Sequence, residues 1–95
     1  MIVSLLRFRL DLEGMTSLKD KRRIVSSLKD RLHRKFRLSV AEVDLQDSLT
    51  RAEIGAAIVS NSRTFGETVL HKALALVENE TPGRVASVEI GSERY

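Results

Sequence analysis

Along these 95 residues the spacing of apolar side chains switches from every second position to every third or fourth and back, twice. Successive side chains leave a strand on opposite faces, whereas a helix repeats near 3.6 residues, so the chain reads strand, helix, strand, strand, helix, strand. Leu6, Phe8, Leu10 and Leu12 share one side of the first run, against Arg7, Arg9 and Asp11 on the other. Gly14 ends it. Ser17 with Asp20 three residues later resembles a capping box, opening a helix over Leu18, Ile24, Val25, Leu28, Leu32 and Phe36. At about 100° per residue these six form a core-facing stripe roughly 120° wide. Lys21 falls inside that stripe, and its aliphatic stem is expected to carry the ammonium out past the sheet edge.

Arg37 to Leu45 and Ala52 to Ser60 read as strands, and the short polar link Gln46-Asp47-Ser48-Leu49-Thr50 predicts a hairpin between them. Thr64 with Glu67 suggests a second capping box ahead of Val69, Leu70, Ala73, Leu76 and Val77, which recur at helical spacing. Pro82-Gly83 is a turn, because proline cannot continue a helix and glycine takes positive φ cheaply. Ala86, Val88 and Ile90 then alternate as a last strand, and Gly91 to Tyr95 read as a frayed tail. The order implies a single α+β domain over residues 1–95. It is a ferredoxin-like βαββαβ sandwich, with a four-stranded antiparallel sheet and two helices on one face.

That fold hosts many activities, so function has to be argued from residues. The absence of cysteine removes disulfides, cysteine-ligated metal and thiolate nucleophiles, and suits a reducing compartment; cytoplasm is the expectation. Arg7, Arg9, Asp11 and Glu13 interrupt the apolar N-terminal run, which therefore reads as structure rather than as a signal or membrane anchor. With four aromatics in the chain, and Arg7, Arg9, Asp11, Glu53, Gly55, Ala57 and Val59 at the outward positions of the central strands, bases have nothing to stack on. His33 and His71 fall on helices and read as exposed, and no acid, base and nucleophile converge. A non-catalytic protein without cofactor is expected. Glu42 and Asp44 at alternate strand positions share a face near Asp47, the makings of a divalent-metal site; solvation or pairing with Arg51 and Arg63 is the ordinary alternative.

Charge is concentrated. Residues 16–37 hold nine Lys and Arg against Asp20 and Asp30, for +7, while the rest hold seven against eleven, for −4, together the net +3. Lys19, Arg23 and Arg34 fall opposite the apolar stripe and Arg22, Lys29 and His33 flank it; Lys19, Arg22, Arg23, Lys29 and Arg34 make a basic ridge suited to phosphate backbones of RNA or a ribosomal surface. The helix N-terminus beside Lys19 and Arg22 adds unpaired N–H groups that favour anions. Pairs Asp20–Arg23 and Asp30–Arg34 at helical spacing would instead neutralise part of the ridge. A second surface is the sheet face opposite the helices, where Ala41, Val43, Gly55, Ala57, Val59 and Val85 sit beside Arg7, Arg9, Glu53 and Glu89, a patch suited to a homodimer or a protein partner.

The stretches SLKDKRR (Ser17 to Arg23), SVAEVDLQD (Ser39 to Asp47) and RAEIGAAIVSN (Arg51 to Asn61) resemble the YlxP family of small bacterial proteins, also called DUF503. The similarity runs from Met1 to about Ile90. It implies the same ferredoxin-like fold and little chemistry, the family having no established enzymatic activity, and, through the family's gene neighbourhoods, an association with ribosome or RNA work. Lys19, Lys21, Arg22 and Arg23 match the family's first motif. Ser48-Leu49-Thr50 stands where an aromatic usually follows the QD pair, and Ser62 where an acid is common.

Overall fold

A computed structural model describes residues 1–95, in the order β1 (Ile2–Asp11), α1 (Leu18–Phe36), β2 (Ser39–Asp44), β3 (Arg51–Ser60), α2 (Arg63–Glu80) and β4 (Arg84–Arg94). The strands form one antiparallel sheet in the order β2-β3-β1-β4, the ferredoxin-like arrangement expected from the apolar periodicity. Two hydrophobic stripes and one sheet face make the core. Leu6, Phe8 and Leu10 of β1, with Ala52, Ile54 and Ala56 of β3, meet Val25, Leu28 and Leu32 of α1 and Leu70, Ala73, Leu76 and Val77 of α2. Helix α2 lies over β1 and β4, and α1 packs against β2, which leaves the opposite side of α1 to solvent.

Local chemistry sets the helix ends. Ser17 accepts from the Asp20 N–H at 3.2 Å, as the capping pattern predicts. The second cap is Ser62, two residues before the expected Thr64, accepting from the Phe65 N–H at 3.2 Å. Glu67 does not close a box there, because its carboxylate instead accepts from the Ser92 hydroxyl. Ser92 in turn shares a hydrogen bond of 2.7 Å with the fully buried Ser4. Gly66 is required beside that pair, since a Cβ would overlap the Ser4 hydroxyl. At the end of α1, Arg37 adopts φ 59°, ψ 34° and its N–H donates to His33 O, so β2 begins at Ser39 rather than Arg37.

Two bulges re-aim side chains that strict alternation assigns elsewhere. Between Glu42 and Asp44 the β2–β3 register shifts, leaving Glu42 toward the helices and Asp44 opposite Glu53 on the open face. The two carboxylates therefore do not share a face, and no group of three metal-capable side chains forms. The second bulge lies in β4. There Arg7 opposes Glu89 and Arg9 opposes Ala86, so Ser87, at φ 54°, and Val88 span the single step past Phe8. Consequently Val85 pairs with the inward Leu10 and packs on the core, not on the open face where alternation places it. Residues 91–94 are no frayed tail. Gly91 to Arg94 continue the ladder against Leu5 to Ile2, and the Tyr95 N–H donates to Met1 O at 2.8 Å.

Candidate nucleic-acid interface

Helix α1 buries Lys21, Val25, Leu28 and Leu32 and turns the rest of its circumference outward. Lys19, Arg22, Arg23, Ser26, Ser27, Asp30 and Arg34 line one open, shallow surface with no hydrophobic residue in it. Four of the five basic residues expected at the ridge thus come together. Lys29 is on the flank, grouped with His33, Arg37 and the start of β2. Ser26, Ser27 and Asp30 in the middle of the surface were not among the expected ridge residues; of the other cations in the basic segment, Lys35 lies beside Arg34 and Arg37 beside Lys29 on the β2 flank. For the two serines and Asp30, helical spacing from Arg23 and Arg34 was the available signal.

The ridge cations carry no counter-charge. The ion pairs in the protein are Arg7–Glu53, Arg9–Asp11, Lys21–Glu42 and Arg31–Glu80, and none involves Lys19, Arg22, Arg23, Lys29, Arg34, Lys35 or Arg37. The helical pairs that spacing allowed, Asp20–Arg23 and Asp30–Arg34, do not form; Arg34 Nε instead donates to the Asp30 backbone carbonyl at 3.4 Å. Six cations on α1 and a seventh at its C-cap, held without ion pairs, repel one another, a cost that a bound polyanion would offset. The first turn is ordinary by comparison, with Ser17 and Asp20 serving the helix itself.

Lys21 belongs to the fold and not to the ridge. Its side chain is 1% exposed, and Nζ donates to the carbonyls of Leu45 and Ser48 at 2.7 Å each. The third direction faces Glu42 Oε2 at 3.1 Å, an ion pair rather than a well-aligned hydrogen bond. The ammonium does not snorkel past the sheet edge, because the β2–β3 turn folds over it and supplies its acceptors. Leu45, at φ 64°, shapes that turn, and the Asp44 carboxylate accepts from the Leu45 N–H at 2.7 Å. His33 likewise serves the fold: its Nδ1 lies 3.0 Å from Leu38 O, which can only accept, so that nitrogen carries the proton.

On the open sheet face the apolar side chains gather toward one end, bordered by Glu89 and Glu93 of β4. Ala41, Val43, Gly55, Ala57 and Val59 occupy it as expected, joined by Val3 and Leu5, which oppose Val59 and Ala57. Leu5, Val43 and Val59 are 50%, 46% and 63% exposed, large values for such side chains. Toward the other end Arg7 donates to Glu53 at 2.8 Å, and Arg9 grips Asp11 through Nε at 2.8 Å and Nη2 at 3.2 Å. The Arg9 hydrogen bonds hold the Asp11 carboxyl below its ordinary value, with a smaller opposing effect from partial burial. The Glu53 hydrogen bond raises Arg7 in the same way.

Fold and surface together define a ferredoxin-like α+β protein with a cationic first helix and a half-apolar open sheet. The chain belongs to the DUF503 family, whose description is "Protein of unknown function (DUF503)" and whose sequence profile matches residues 3–90. It is also similar to the uncharacterized protein YlxP of Bacillus subtilis (strain 168), 36% identical over 63 residues, 66% of this chain and 68% of that protein. No helix is long and apolar enough to cross a membrane.

Proposed function

We propose that this protein is a non-catalytic RNA-binding domain that engages RNA or a ribosomal surface through α1. Lys19, Arg22, Arg23 and Arg34 contact phosphates, and Lys29 reaches in from the flank. One observation carries the reading: Lys19, Arg22, Arg23 and Arg34 share one solvent-facing surface of α1, and none of them is in an ion pair. Binding by phosphate contact positions the protein without reading sequence, so affinity is modest and strongly salt-dependent. With these five contacts, log K falls against log salt with a slope of about −3.5 to −4.5. Titration of a fluorescent structured RNA across a salt series measures this slope. Arg23→Glu with Arg34→Glu is expected to abolish binding at moderate salt while leaving the fold intact by circular dichroism; unchanged binding by that variant refutes the assignment.

A second reading has its own observation, the exposed Leu5, Val43 and Val59 on the open sheet face. Here the sheet face joins two copies of the chain, and α1 is solubilising surface. Association would then persist in high salt. A monomer by light scattering at high micromolar concentration overturns it.

A further inference from the structure

The cations of α1 are not spread evenly, and their gap constrains the ligand. On the solvent-facing surface Lys19, Arg22 and Arg23 cluster near the N-terminus and Arg34, with Lys35 toward α2, stands at the far end, while Lys29 and Arg37 lie together on the β2 flank beside Asp30. Between the two ends the same solvent surface presents Ser26, Ser27 and Asp30. From Arg23 to Arg34 the axial rise is about 16 Å, at about 1.5 Å per residue. Asp30 stands without an ion pair in that gap.

A single strand laid along the ridge would carry a phosphate every few ångströms and bring one over the Asp30 carboxylate, where it is repelled. Two separate backbones avoid this. A duplex lying across the helix sets one phosphate rail on each cluster and leaves the groove floor over the serines and the acid. In A-form RNA the wide, shallow minor groove displays 2′-hydroxyls, which both donate and accept. Serine hydroxyls and a carboxylate are suitable partners for such a floor, the carboxylate accepting and the serines doing either. A B-form DNA minor groove is narrower, about 6 Å, and offers no 2′-hydroxyl. Base stacking, the alternative source of single-strand affinity, has little platform on α1, where Phe36 is half-buried and His33 is tied to Leu38 O.

Resting on the RNA reading above, we infer that the preferred ligand is double-stranded RNA, straddled by α1 across its minor groove. Lys19, Arg22 and Arg23 take one backbone, Arg34 and Lys35 the other with Lys29 and Arg37 at its β2 edge, and Ser26, Ser27 and Asp30 meet the 2′-hydroxyls between.

The test is parallel titration, at one salt concentration, of a blunt RNA duplex, a single-stranded RNA and a DNA duplex of equal length and composition. The full chain is compared with Asp30→Lys, a surface change that closes the gap in the cation track. The wild-type protein is expected to bind duplex RNA at least tenfold more tightly than either other probe. Asp30→Lys is expected to gain affinity for single-stranded RNA and duplex DNA, so that the preference falls severalfold. Equal, salt-sensitive binding of all three wild-type titrations would overturn the duplex inference and leave the phosphate-binding reading standing. Preference for the single strand or for DNA, or an undiminished preference in Asp30→Lys, overturns it as well. No binding of any probe would overturn both.

Discussion

Lys21 and Asp11 carry opposite charges whose environments give them opposite kinds of consequence. Lys21 is enclosed, so replacing it with Met strands the Leu45 and Ser48 carbonyls and leaves the Glu42 carboxylate without its cation. Loss of one partner from a buried pair is strongly destabilising, and with Glu42 still partly solvated the expected cost is about 2–4 kcal/mol by urea unfolding. Adding Glu42→Leu should return part of that loss, because the remaining partner is then apolar. Asp11 is held by Arg9 at the surface. Its folded pKa lies below the unfolded value of about 3.9, so the pair stabilises the native state above that pH and the benefit disappears as pH falls through the folded value. Asp11→Asn should therefore differ from the wild type at pH 6 and converge with it near pH 2. A difference that grew on acidification would contradict the assignment.

At the scale of elements, the end of α1 and the core of α2 make separate predictions. Arg37 occupies a left-handed cap where glycine is the relaxed residue. Arg37→Gly is expected to raise stability by about 1 kcal/mol while weakening RNA binding, a trade readable from one melt and one titration. Gly66→Ala forces a methyl onto Ser4 and should cost about 1–3 kcal/mol. The same elements show what the sequence could and could not convey. Helix α1, its Ser17 cap and the alternation of β1 and β3 are legible because local periodicity and burial agree. Bulges were not, since one extra residue at Val43 or at Ser87 changes the face of its neighbours without altering composition. Thus Glu42 and Asp44 part, and Val85 turns inward. Lys21 was legible as a charge in the apolar stripe, but the carbonyls that accept from it come from a turn some 25 residues away, which no local pattern reveals. The basic ridge was visible as charge density; that its cations lack ion pairs is a property of the folded surface.

Across the whole molecule the two faces are chemically distinct: the solvent side of α1 is cationic with its ridge residues in no ion pair, and the sheet face is half apolar with Arg7 and Arg9 paired to Glu53 and Asp11. Ionic strength separates the two proposed readings, because screening weakens ionic contacts on the first face and barely affects apolar association on the second. Leu5→Lys with Val59→Lys is accordingly expected to leave RNA affinity within about twofold of the wild type, or to raise it slightly through added positive charge. The measurement that tests the central claim most directly is a map of backbone amide shifts in the ¹⁵N-labelled protein during titration with duplex RNA at low salt. Shifts concentrated from Lys19 to Arg37 and reversed by added salt are the predicted result. Shifts confined to β1, β2 and β3 on the open face, with α1 unmoved, would contradict the account.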